Sequence, residues 1–328
     1  FGLRCRGADR AGAVVTGTLR RLLMTIARHG RLVLVLGLVA GILLPELALV
    51  VRSVLPELVA CTLGVAALRI GPTAARGSLA DMHHSLRLVA VYQLALPIAL
   101  AGLFLLLGWS GPLATALVLM AAAPSISGSP NLTIMTGNDP APALRLMIAG
   151  VALLPLTVGP VFLLWPILGS IGAVAMASVR LLVLIVSASA IAFAIRRWFF
   201  PQPSVETLGV IDGVSAVLLA VLVVGLMSAI GPAIATTPGL FALTLAAAFA
   251  TNFSLQLIVY ALASKWGHER SKVAWSIVAG NRNIALFLVA LPAAITDPLL
   301  LFIGCYQIPM YLTPILMRPL YAPRNAAA

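Results

Sequence analysis

Stretches of about 20 consecutive, mostly apolar residues recur along this chain, as at 88–107, 143–165 and 174–197. A helix of that length matches the roughly 30 Å hydrocarbon core of a bilayer. Inside lipid every spanning backbone must satisfy its own hydrogen bonds, which leaves only helices or closed barrels. Runs of about 20 residues, rather than alternating segments of about ten, select helices. Composition points the same way: 61% of the residues are hydrophobic and 9% charged, whereas soluble domains carry about 25% charged residues. The expectation is an all-α polytopic membrane protein whose partner is the lipid bilayer, placed in the cell inner membrane.

The net charge of +12 would suit a nucleic-acid partner if the charges were clustered on one surface. They are instead distributed by loop. If the first span leaves the cytoplasm, 18 of the 21 Lys and Arg fall on cytoplasmic segments, seven of them between Arg4 and Arg31, and Arg52 alone lies outside. Arg180 and Arg282 remain within or at the edge of spans. That bias sets orientation and explains the basic character without any nucleic acid. Cys5, Cys61 and Cys305 have neither metal nor disulfide spacing and read as small hydrophobes. Trp109, Trp165 and Trp198 fall at expected interfaces, as aromatic belts do. His83 and His84, with Asp81 and Arg87, read as a solvated cytoplasmic loop. Glu46 and Glu57, on either side of Arg52, read as solvated outer-loop charges.

Ten spans are expected, at about 31–51, 54–70, 88–107, 113–136, 143–165, 174–197, 211–229, 240–263, 272–295 and 298–318. Turn-rich segments separate them, and an even count puts both termini in the cytoplasm. Residues 1–30 then form a basic tail, disordered or lying on the membrane surface; 31–165 a first five-helix unit; 166–210 the connection and sixth span; 211–320 the rest of a second unit; and 321–328 a C-terminal tail. An odd number of spans per half means that, if the halves are repeats, the second is inverted. Two coincidences favour repeats: the Asp-Pro pairs at Asp139 and Asp297 lie 158 residues apart, and Gln93 and Asn252 lie 159 apart.

Two spans are interrupted at corresponding places, the best sequence pointer to a transporter's central site. In the fourth, Pro124, Ser127, Gly128, Ser129, Pro130 and Asn131 break an apolar run. Proline removes a donor and clashes with the preceding turn, so backbone groups are left without partners. Such a break can face an anionic or polar substrate with free amides, or it can be a kink whose small residues permit close packing. In the ninth, Gly280, Asn281, Arg282 and Asn283 stand within an apolar helix. A buried guanidinium costs at least about 3 kcal/mol on insertion scales and needs a partner; the other reading is snorkelling to the interface. Gln93, Asn252 and Gln256 could coordinate an ion or substrate, or hold helices together. No nucleophile elbow, phosphate loop or HExxH motif is present, so no enzyme is expected.

At these interruptions the sequence resembles the bile acid:sodium symporter family. APSISGSPN (123–131) is similar to that family's Pro-Gly-Gly-x-x-Ser-Asn motif, VYQLALP (91–97) to its Gln-containing third helix, GNDPAPALRLMIAGVALLPL (137–156) to its Gly-Asp loop and following helix, and AGNRN (279–283) to its Glu-x-Gly-x-Gln-Asn motif. The resemblance implies two inverted five-helix repeats with broken, crossing fourth and ninth helices, and a symporter of small or amphipathic organic anions. It also implies sodium, but the family's sodium-binding Glu falls on Val278, its Gln on Arg282, and the hydroxyl pair of its fifth helix on Ala143 and Met147. A guanidinium beside the site would repel a hard cation, so sodium coupling is not expected and no other cofactor is implied. The same features would also fit a transport-inactive sensor or scaffold, or an arsenite-permease-like or auxin-efflux-like carrier, although the reactive cysteine of an arsenite carrier is missing where Ala123 and Pro124 stand.

Overall fold

The computed structural model describes residues 5–79, 82–165 and 170–322. Arg4, Asp81, Arg324 and most of the expected C-terminal tail lie outside the described residues. Within them the chain is helical, with one isolated antiparallel bridge, Ser125 to Arg282, and no strand.

In chain order the helices are α1 (Cys5–Arg28), α2 (Gly30–Leu43), α3 (Pro45–Arg52), α4 (Leu55–Leu79), α5 (Met82–Ala90), α6 (Leu96–Leu106), α7 (Pro112–Ala122), α8 (Ser129–Met135), α9 (Ala141–Leu164) and α10 (Ile171–Phe199). There follow α11 (Val205–Leu226), α12 (Ile230–Thr236), α13 (Pro238–Lys265), α14 (Lys272–Gly280), α15 (Phe287–Ala290), α16 (Ala293–Thr296), α17 (Leu300–Leu316) and α18 (Arg318–Tyr321). Local chemistry sets many of the starts. Pro45, Pro112, Pro130 and Pro238 occupy first-turn positions whose N–H would be unpaired anyway. Ser170 and Ser204 cap α10 and α11 by accepting from Ala173 and Thr207 N–H groups.

Among the described residues seven helical segments are long and apolar enough to cross a membrane, or eight if the pair bent by 85° between Arg28 and Leu32 counts as one. Large apolar side chains stay exposed along them, including Leu103, Leu182, Val186, Leu243 and Ile258, as expected for a surface that faces lipid. The expected spans missing from the seven are 31–51, 113–136 and 272–295. Each is interrupted in the fold, at Leu44, at 123–128 and at 281–283, so neither piece is long enough alone.

Packing divides the helices into two groups. In one, α11 lies against α1, α2, α3 and α4, and α10 lies against α4. In the other, α13 packs on α14 and α17, while α9 packs on α5, α6, α8 and α14. The groups meet where α10 touches α9, α15 touches α4 and α17 touches α11.

Several expectations change here. Of the two alternatives for the N-terminal segment, the described part is ordered: α1 is helical and packs on α11, and Arg20 pairs with Glu206. Trp165 is buried rather than interfacial, donating from Nε1 to Thr115 Oγ1 at 3.1 Å. His83 and His84 lie on α5 rather than in a loop, and His84 stacks on Trp275 beside His268. Arg52 pairs with Asp297 at 2.8 Å, while Glu46 and Glu57 are exposed.

Candidate functional site

Three backbone irregularities converge on Arg282, and each has a local cause. The first lies between α5 and α6, where Pro97 has no N–H to donate to the preceding turn. Its ring clashes with the carbonyl four residues back, and the chain widens into a π-turn over Val91–Ala95, in which Leu96 N–H bonds Val91 O. In that pattern Tyr92 O would next pair with the nitrogen of Pro97, which has no hydrogen, so the carbonyl is left free.

The second is the end of α7. Ala123 is extended (φ −66°, ψ 150°) ahead of Pro124, so its carbonyl points out of the helix. The third is the end of α14, where Asn281 (φ −112°, ψ 89°) leaves the helix. Were that helix to continue, Asn283 N–H would bond Ala279 O; instead it donates to Pro124 O at 2.7 Å, and Ile126 N–H donates to Asn281 O at 3.0 Å. The two breaks thus satisfy each other's backbone through a short antiparallel bridge, the accounting that a site away from water requires.

Arg282 takes up all three freed carbonyls. Its Nε donates to Ala279 O at 2.8 Å, Nη1 to Ala123 O at 3.2 Å and Nη2 to Tyr92 O at 3.4 Å. The guanidinium carbon also sits 5.1 Å from the centre of the Tyr92 ring, a cation–π arrangement. The residue is 1% exposed, so it does not snorkel. Among the described residues no carboxylate pairs with it. A positive charge held by carbonyl oxygens from three chain segments and the face of one aromatic ring is an environment suited to a bare cation.

Beside it lies a closed polar network. Asn252 Nδ2 donates to Gly280 O and, at 3.4 Å, to Asn281 Oδ1. Gln256 Nε2 donates to Asn252 Oδ1 at 2.6 Å and to Thr313 Oγ1 at 3.1 Å, and Thr313 lies 3.3 Å from Asn281 Oδ1. Tyr321 donates to Gln256 Oε1 at 3.1 Å, and Tyr306 donates to Gly280 O. All are buried, and in a low dielectric such a network fixes geometry strongly. Gly280 is obligatory for it, since a Cβ there would collide with Asn252 O and Gln256 Cγ.

Of the residues singled out from sequence, Gln93, Pro124, Ser129, Asn252, Gln256, Gly280, Asn281 and Arg282 are gathered here and buried. Gln93 stands apart from the Asn252 pair: it accepts from Thr157 at 3.2 Å and lies over Gly150 near Pro124. Ser129 bonds the neighbouring Ser125. Ser127, Gly128, Pro130 and Asn283 are half-buried. Asn131 is exposed on α8, away from the network. Sequence reasoning missed Tyr92, Tyr306, Thr313 and Tyr321. A signal existed for the first alone, in Pro97 five positions beyond it. Two cavities lie elsewhere, one beside Gly71 and Arg196, the other beside His84 and Trp275. No protein-family model matches the chain, and no curated protein shows significant similarity to it.

Proposed function

We propose that the protein is a secondary transporter of a small or amphipathic organic anion, in which Arg282 is a tethered cation at the midpoint of the membrane. The observation that carries this reading is the carbonyl cage: a permanent positive charge, buried where two broken helices meet. Broken helices that join at the interface of two repeats are how many carriers build their central site. Arg282 has five N–H groups, and three are engaged; a carboxylate or sulfonate can take the other two when the helix groups part. Sodium is not required, because its charge and its oxygen ligands are already supplied and occupied.

The finer architecture in this reading is ten spans in two inverted five-helix repeats, with broken fourth and ninth spans and both termini in the cytoplasm of the inner membrane. Bridged positions support the repeat. Pro124 and Asn283 differ by 159 and Ser125 and Arg282 by 157, about the offset between the two Asp-Pro pairs, so an axis through the bridge would exchange the halves. Each half also sends two spans to the α4–α10–α11 group and three to the other. Alternating access would be the rocking of these groups on one another.

The test is flux of carboxylate and sulfonate anions into proteoliposomes, with and without sodium. Sodium-independent uptake that disappears in Arg282→Gln is expected; strict sodium dependence would overturn the tethered-cation reading. The closed, fully bonded network favours one competing reading, a transport-inactive sensor or scaffold. Absence of flux for every anion, with ligand-dependent thermal stabilisation retained, would favour that reading.

A further inference from the structure

A second basic site lies far from the helix breaks, where α4 bends. Gly71 (φ 75°, ψ 164°) interrupts α4 and is followed by Pro72, which has no N–H. The last carbonyls before the bend therefore need partners, and Arg196 Nη1 supplies one by donating to Leu68 O at 3.2 Å. The positive φ favours glycine, and a Cβ there would press to within 3.3 Å of Arg196 Nε. Arg196 is thus held in place from two sides.

Beside it opens a cavity of about 580 Å³ lined by Ile70, Gly71, Arg196, Arg197, Trp198 and Pro201, among others. Among the described residues no Asp or Glu lines it. Among the described residues no carboxylate pairs with either arginine. Two guanidinium groups share one cavity at the end of a 29-residue apolar helix, the depth at which a bilayer's headgroups begin. Down the same helix from the cavity, Val183, Val186, Ile191 and Ile195 are exposed, and Trp198 is 76% exposed. A free anion would have no use for that apolar track, whereas an acyl chain would.

We infer that the cavity between the bend of α4 and the end of α10 binds the phosphate headgroup of an anionic glycerophospholipid, with its acyl chains lying along exposed α10. Basic pockets between helices at the membrane boundary recognise such headgroups, and arginine suits phosphate through its forked donors. This inference needs only a membrane-embedded chain and does not depend on transport.

The full-length protein, purified in detergent, is offered an equimolar mixture of phosphatidylglycerol and phosphatidylcholine with matched acyl chains, and retained lipid is read by native mass spectrometry. Preferential retention of phosphatidylglycerol is expected. Each guanidinium removed should weaken it roughly fivefold, from the contribution of one basic residue near an anionic headgroup, so Arg197→Gln loses about fivefold and the Arg196→Gln/Arg197→Gln pair about 25-fold. Arg196 also ties α10 to α4, so if the pair fails to fold the single Arg197→Gln variant decides. Arg180→Gln, an exposed arginine on the same helix outside the cavity, should leave retention unchanged. Equal retention of both lipids, retention unaltered in Arg197→Gln, or full displacement of lipid by an equal concentration of inorganic phosphate would each overturn the proposal.

Discussion

The two helix breaks meet at a single bridge, yet they are made by different means. The break after α7 is written in local chemistry: Pro124 and Pro130 lack donors. The break after α14 has no proline between Lys272 and Leu291. It opens because Asn283 N–H is drawn to Pro124 O and because Asn252 and Tyr306 take the carbonyl of Gly280. The first break would persist in isolation, whereas the second is held open by its partners. They also differ in content, since the first offers only neutral hydroxyls and backbone, and the second brings the charge. One break therefore serves as the template and the other as the occupant.

That asymmetry can be broken most severely at Arg282. Arg282→Leu leaves the carbonyls of Tyr92, Ala123 and Ala279 unpaired away from water, at about 1–3 kcal/mol each. The protein should lose its monodisperse peak in detergent or unfold at a much lower temperature, and Arg282→Lys should recover part of the loss. A leucine variant as stable as the parent would show that the cage does not hold the breaks together.

Glycines sharpen the contrast. Gly280→Ala drives a methyl into Asn252 and Gln256 and should cost about 1–3 kcal/mol, as overpacking does. Gly128→Ala meets only Ile126 Cδ1, at 3.7 Å, with φ at −79°, so its thermal midpoint should move by no more than about 0.5 kcal/mol warrants. Similar losses at both positions would erase the distinction between template and occupant. An effect smaller than that of Gly280→Ala is expected for Pro97→Ala, which returns an N–H to Tyr92 O and competes with Arg282. The helix gains one bond as the guanidinium loses one, so stability should change by less than about 1 kcal/mol, while amide exchange over 91–97 slows. Arg52→Gln should be as mild as Gly128→Ala, because its pairing with Asp297 is partly solvent-exposed and such pairs contribute about 0.5 kcal/mol.

Much of this was legible in the chain. Pro124 to Asn131 and Gly280 to Asn283 marked both interruptions, and the Gln93–Asn252 offset marked the polar residues beside them. That Asn131 faces outward on α8 was not legible, because the side each position takes is set by how that helix packs. The helical N-terminus was missed because its Arg-rich composition resembles a solvated tail, and only the surface of α11 gives it something to pack on.

Apolar runs of bilayer length fixed the class of the molecule, and proline and glycine fixed where helices must fail, because both act within a turn or two of themselves. Neither could specify what takes up the orphaned carbonyls. The acceptors of Arg282 lie 3, 159 and 190 residues away along the chain. They become neighbours only once the helices have packed, so it was the tertiary structure that turned an isolated arginine in an apolar helix into a caged cation.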